Sequence, residues 1–233
     1  MNLSFTWLGQ AGLLVKSKTL TLLIDPYLSD SVAKVNPKNA RRFPVDESFL
    51  SLKPDAILIT HDHLDHLDPE TLVHYLGDKP VTVLAPEKAW THVRETFGGP
   101  HNYVMLNRGS VWTLSDGLTV YAVRAEHSDL TAVGFILDDG EHTYYVTGDT
   151  LYNYNVIDDV LALLPDGPDV IFLPVNGVGN NMNMLDAADL VTDVGARYAV
   201  PLHFGLFDSL DPNTFECDNK IIPTAFKEIP LNL

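Results

Sequence analysis

His61-Asp62-His63-Leu64-Asp65-His66 follows directly on the apolar run Ala56-Ile57-Leu58-Ile59-Thr60. Three imidazoles and an intervening carboxylate at the mouth of a buried strand offer nitrogen and oxygen ligands to two adjacent metal ions. In an extended turn His61 and His63 point the same way, while Asp65 and His66 lie further along and reach a second position. The competing reading is a solvated polar loop that picks up metal only adventitiously. It loses ground because polar residues recur at the ends of other strands.

His127 follows Tyr121-Ala122-Val123-Arg124-Ala125-Glu126, Asp149 follows Tyr144-Tyr145-Val146-Thr147-Gly148, and His203 follows Val200-Pro201-Leu202. Asp25 stands after Leu22-Leu23-Ile24 in the same way. Loops at strand ends are where a rigid scaffold presents reactive groups, so these positions can converge on one rim. Each alone reads as a turn residue or a satisfied structural histidine; together they are a specific signal.

The elements that must position them follow from apolar periodicity and turn chemistry. Strands are expected over 4–7, 12–16 and 20–24, then an irregular polar stretch over 26–46 and a strand over 56–60. Asp68-Pro69-Glu70 starts a helix, with Asp68 as N-cap and Pro69 at the first helical position. A strand over 81–84, a helix over 86–97 and short strands around Tyr103, Trp112 and Val120 close the first half. The second half repeats the logic: strands over 132–137 and 143–146, a helix over 156–164, a strand over 170–174, a helix over 185–194 and a strand over 198–202. Strands mixed with helices in both halves predict an α/β fold, an αββα four-layer sandwich of two mixed β-sheets flanked by helices. No low-complexity segment or linker divides the chain, so residues 1–233 are read as one domain.

With 233 residues and 45% hydrophobic content the chain can bury a sizeable core. Fifteen Lys and Arg against 31 Asp and Glu give a formal net charge of -16, which argues against binding nucleic acid or an anionic membrane. A small anionic substrate stays compatible with that charge, because bound divalent metals and a local Arg reverse the field inside a pocket. Cys217 is the only cysteine, so no intrachain disulfide forms. The N-terminus lacks a basic region followed by an apolar stretch, and no segment is long enough to span a bilayer, so a cytoplasmic protein is expected. The acidic surface leaves homo-oligomer formation open.

In order and spacing, Asp25, His61 to His66, His127, Asp149 and His203 resemble the metallo-β-lactamase fold superfamily over nearly the whole chain. The resemblance implies one metal on His61, His63 and His127, a second on Asp65, His66 and His203, Asp149 bridging both, and Asp25 orienting a ligand from behind. Departures narrow the chemistry. Asp149 stands where β-lactam-hydrolysing members of the best-known class carry a Cys, and Cys217 comes after His203, out of order for that role. The Glu within the first motif of the diiron oxygen reductases is replaced by His63, and the acidic chain brings no basic nuclease exosite.

A closer resemblance, to the L-ascorbate 6-phosphate lactonase group, rests on three segments. These are Gly148-Asp149-Thr150-Leu151-Tyr152, Leu173-Pro174-Val175-Asn176-Gly177 with Asn181-Met182-Asn183, and Val200-Pro201-Leu202-His203-Phe204-Gly205. It implies a metal-dependent hydrolase in which two divalent ions, zinc or manganese, activate a bridging hydroxide against a small lactone or ester, including a phosphorylated sugar-derived lactone. Asp65 and Asp149 are the expected catalytic carboxylates, Asp65 also orienting the nucleophile or relaying a proton. A phosphodiesterase acting on a small cyclic or lipid-derived phosphodiester, and a non-enzymatic metal-dependent binding protein, are the alternatives. Substrate contacts are expected from Arg41 and Arg42, the only adjacent arginine pair, and from Tyr152, Asn176 and Asn181. His74, His92, His101 and His142 read as surface residues.

Overall fold

Alternate residues of the opening strands leave for different cores, and this builds the layers. The computed structural model describes residues 3–231 and 233; Met1, Asn2 and Asn232 lie outside the described residues. Strands β1 (Ser4–Gly9), β2 (Gly12–Lys16), β3 (Thr21–Ile24), β4 (Ala56–Leu58), β5 (Thr82–Ala85) and β6 (Asn102–Met105) form one six-stranded sheet in that order. Leu13, Val15, Leu22, Ile24, Leu58 and Leu84 face one apolar cluster, and Leu14, Leu23, Ile57 and Val83 face another. This is the two-residue period of a pleated strand with both faces covered.

The second sheet holds β7 (Val111–Thr113), β8 (Thr119–Arg124), β9 (Val133–Asp138), β10 (Thr143–Val146), β11 (Val170–Pro174) and β12 (Tyr198–Leu202) in the order β12-β11-β10-β9-β8-β7. Both sheets are mixed: antiparallel pairing joins β1 to β3 and β7 to β10, and parallel pairing joins β3 to β6 and β10 to β12. The sheets meet face to face. Phe5 of β1 packs on Phe172 of β11 and Tyr144 of β10, each at 4.8 Å between ring centroids.

Helices α2 (Pro69–Leu72) and α3 (Glu87–Phe97) cover the outer face of the first sheet through Leu72, Ala89 and Val93. Helices α4 (Tyr154–Leu163) and α5 (Met184–Asp193) contribute Ile157, Val160, Leu190 and Val191 to the core that includes the second sheet. This is the predicted sandwich of two mixed sheets flanked by helices. Side-chain caps set the helix starts. Asp68 accepts from Glu70 N, Asn153 from Asn155 N, and Asn183 from Leu185 N and Asp186 N, each satisfying backbone donors that an α-helix leaves open. The Asn153 cap starts α4 earlier than the apolar period suggested. The stretch 26–46, expected to be irregular, contains a short helix α1 (Ser31–Val35) and a 3-10 turn at Pro37–Asn39. No described helix is long and apolar enough to cross a membrane.

Parallel pairing fixes where the strands deliver their chemistry. The ends of β3, β4, β10, β11 and β12 carry Asp25, His61, Asp149, Asn176 and His203 onto one rim, the position where open α/β sheets bind ligands. Gly148 lets the two sheets close there. A Cβ at that residue would lie 2.9 Å from Thr60 Cβ, and its φ of +61° is left-handed. Val133 N then donates to Thr60 O at 3.0 Å, bridging the sheets beside the rim.

Candidate metal centre

Two rings of the histidine motif and a third from a distant part of the chain turn their nitrogens toward one point. His63 Nδ1 lies 3.0 Å from His61 Nε2 and 3.1 Å from His127 Nε2. His66 Nε2 lies 3.3 Å from Asp149 Oδ1, and His203 Nε2 lies 3.3 Å from Asp149 Oδ2 and 3.5 Å from Asp65 Oδ2. The seven side chains form three overlapping donor groups, His61-His63-His127, His61-His66-Asp149 and Asp65-His66-His203, with the donor atoms of each group within 4.8 Å of one another.

The nitrogens facing away from the cluster are held from behind. His66 Nδ1 lies 2.8 Å from Asp25 Oδ2, and Asp25 also accepts from Thr60 N at 2.8 Å and Thr60 Oγ1 at 2.6 Å. Since Thr60 Oγ1 has given its proton to Asp25, it is free to accept from His61 Nδ1 at 3.0 Å. His127 Nδ1 donates to the carbonyl of Asn180 at 3.2 Å. A ring that donates at one nitrogen presents a lone pair at the other, which is the tautomer a cation needs.

His203 follows the same plan with one exchange. Its Nδ1 lies 2.9 Å from Asn176 Nδ2, while Asn176 Oδ1 is buried without a partner. A half-turn of the amide places Oδ1 against the ring N–H and satisfies both groups.

Charge completes the fit to a cation. Burial pushes His61 well below the ordinary imidazole range, helped by neighbouring His66, and burial likewise lowers His127. Burial opposes ionisation of Asp149 and Asp65, but a positive charge at His203 and His66, carried by a proton where a cation would otherwise sit, outweighs it and holds both carboxylates below the usual range. Burial would also depress His66 and His203. The carboxylates of Asp149, Asp25 and Asp65 hold His66 well above its ordinary value, and Asp149 and Asp65 push His203 up to about 9. His66 Nε2 and Asp149 Oδ1 face each other at 3.3 Å, buried, and neither atom makes a hydrogen bond. Orphaned buried polar atoms are costly unless something joins them, and a divalent cation bound by nitrogen and carboxylate oxygen does so.

Sequence reasoning missed Gln10. It is buried in the β1–β2 turn at a left-handed φ of 52°; its Nε2 donates to Asp65 Oδ2 at 2.8 Å and lies 3.1 Å from both His203 ring nitrogens. Its carbonyl accepts from His203 N at 3.0 Å and from Trp7 Nε1 at 2.9 Å. A lone polar side chain in Leu8-Gly9-Gln10-Ala11-Gly12-Leu13 was the available signal. Asp25, Asn180 and His203 share left-handed backbone with Gln10, so strain is concentrated at this rim.

The remaining expected residues divide. Asn176 and Asn181 line a cavity of about 660 Å³ over the cluster, and Asn181 Nδ2 donates to Asp149 Oδ2 at 2.9 Å. Tyr152 turns elsewhere, donating its hydroxyl to Asp193 Oδ2 at 2.5 Å. Arg41 and Arg42 line a different cavity, with Phe43 and Pro44. The Arg41 guanidinium lies 5.4 Å from the ring centroids of both Tyr27 and Phe43 and donates to the Tyr27 carbonyl at 3.0 Å. The structure therefore does not bring the arginine pair to the donor cluster. Asp62, inside the histidine motif, faces away: its Oδ1 is 2.6 Å from His92 Nδ1, and its N–H donates to buried Asp129 at 2.9 Å.

Residues 21–204 match the beta-lactamase superfamily domain. The chain is 30% identical to a UPF0173 metal-dependent hydrolase of Pyrobaculum calidifontis, over 94% of this chain and 92% of that protein. Its fold is similar to that of Igni18, a metallo hydrolase from Ignicoccus hospitalis, with a TM-score of 0.75, 20% identity and 97% coverage of each chain. It is also similar to an isothiocyanate hydrolase from Delia radicum gut bacteria, with a TM-score of 0.76, 19% identity and coverage of 98% and 99%.

Proposed function

The chain belongs to the beta-lactamase superfamily and is a metal-dependent hydrolase, and on that premise we propose that it opens a small lactone or ester at a two-cation centre. His61, His63 and His127 would hold one cation, Asp65, His66 and His203 the other, and Asp149 would bridge them. Nitrogen-rich ligation suits zinc, and the two carboxylates also admit manganese. Bound divalent ions supply Lewis acidity toward the electrophilic oxygen and make water a competent nucleophile near neutral pH.

The residues of the chain do the rest. Asp65 lies in the cavity lining, its Oδ2 held by Gln10, and its carboxylate orients the attacking water and takes its proton. Asp149, held at Oδ2 by Asn181, keeps its charge in the cavity lining. Water adds to the carbonyl carbon, the bond from that carbon to the ring oxygen breaks as Asp65 returns its proton to the leaving oxygen, and the acid so formed releases its remaining proton to solvent, giving a carboxylate and an alcohol. The three overlapping donor groups, with the buried His66 Nε2 and Asp149 Oδ1 facing each other at 3.3 Å between them, carry this reading. Metal analysis beside product analysis tests it: carboxylate release from a lactone, lost on chelation and restored by zinc or manganese, is expected. Release of a phosphomonoester from a phosphodiester, or metal binding with no turnover of either class, would replace it.

A further inference from the structure

We infer that the cavity over the cluster takes an uncharged substrate whose apolar substituent packs against Phe207, Val178 and Val32. The inference rests on the hydrolase reading above and names its substrate class. His63, Asp65, Asp149 and His203 lie on the side of the donor cluster, and Asn176, Asn181 and Ser128 surround them with neutral amides and a hydroxyl. These groups suit a carbonyl and its ring oxygen.

Val32, Val178 and Phe207 supply an apolar wall, with Val178 64% exposed. An isolated exposed valine is ordinary, but three apolar side chains lining the cavity that holds the reacting groups form a subsite. Phe207 is braced, meeting the Tyr27 ring edge-on at 5.8 Å.

The charged lining residue outside the donor cluster is Asp208. Its Oδ1 accepts from Gly205 N and Leu210 N, both at 2.9 Å, which fixes a carboxylate in the wall. Tyr27, which braces Phe207, also carries the Arg41 guanidinium, and Arg41 is committed to backbone carbonyls there. A phosphate on the substrate would meet Asp208 with its counter-charge engaged elsewhere, whereas an alkyl group would leave water for the valines and Phe207.

Binding tests this separately from turnover. Titration calorimetry on the protein, with and without added zinc, would compare 2-pyrrolidinone with 5-pentyl-2-pyrrolidinone, lactams that stand in for the lactone. A second comparison would set gluconate against 6-phosphogluconate. The pentyl lactam is expected to bind at least tenfold more tightly than its parent, and Phe207→Ala and Val178→Asp should each remove most of that gain. Phosphogluconate should bind more weakly than gluconate, and Asp208→Asn should narrow the gap. Tighter binding of the phosphorylated acid, or an alkyl gain that survives both wall variants, would overturn the proposal. Alkyl-dependent lactam binding in a protein that hydrolyses neither γ-nonalactone nor γ-butyrolactone would end the lactonase reading and leave the subsite standing.

Discussion

Gln10 Nε2 lies 2.8 Å from Asp65 Oδ2 and 3.1 Å from both ring nitrogens of His203, so one amide in the β1–β2 turn reaches two groups of the same donor set. Partners that orient metal ligands are typically worth about 10–100-fold in metal affinity or activity. Gln10→Ala is expected to weaken metal binding by roughly tenfold or more by that rule, with far-ultraviolet circular dichroism unchanged. A competition titration against a chromophoric chelator measures it, and wild-type affinity would show the contact to be incidental.

Asp149→Ala should remove most hydrolytic activity and lower metal content, since Asp149 faces His66, His203 and, at 3.9 Å, His127. His74→Ala, at an exposed position, should do neither. His92 makes a poorer comparison than its surface position suggests, because it holds Asp62 within the histidine motif. Activity assays and elemental analysis on both variants decide the matter; full activity of metal-depleted Asp149→Ala protein would remove the mechanism.

The Asn176 amide opposite His203 Nδ1 makes a directional claim. Asn176→Asp keeps an oxygen acceptor for the ring N–H and should retain more metal than Asn176→Leu, which keeps similar bulk and loses the acceptor. Equal losses in the two variants would assign Asn176 to loop structure instead.

Gly148→Ala places a methyl 2.9 Å from Thr60 Cβ and 3.0 Å from the carbonyl of Val133, at a φ of +61°. Strained left-handed residues alone cost of order 1–3 kcal/mol, and the contact adds to it. Denaturant unfolding should show a loss of at least about 1 kcal/mol by that estimate, alongside impaired metal binding. An unchanged midpoint would mean that the two sheets separate at the rim without cost.

Arg41→Gln should lower stability rather than alter discrimination between phosphorylated and unphosphorylated lactones. The guanidinium that Gln removes holds the carbonyls of Tyr27 and Ser29 and lies over two aromatic rings. Thermal unfolding and the ratio of kcat/KM for the two lactones separate these effects. A selective rise in KM for the phosphorylated one would return the arginine to the substrate.

Much of this was legible from local pattern. The apolar runs Leu13 to Val15 and Leu22 to Ile24 mark strands of the first sheet, and His61 to His66 announces the donor cluster because its ligands are close in sequence. Gln10 was not legible, since its partners lie 55 and 193 residues away and no local spacing records them. Arg41 failed in the opposite direction. An arginine after Asp25 looks available to substrate until the fold supplies the carbonyls of Tyr27 and Ser29 as acceptors. The short helix α1 escaped notice because its five residues are too few to show an apolar period.

Each of the three donor groups takes two side chains from the loop after β4 and one from the second sheet's loops: His127, Asp149 or His203. Neither half of the chain can complete a set alone. Occupying any of them therefore ties together two pieces of polypeptide that otherwise meet only through noncovalent packing, and acts as a removable crosslink between them. Chelation should then loosen the crevice between the sheets before it unfolds either, opening the rim loops to proteases while the strands beneath stay protected from hydrogen exchange.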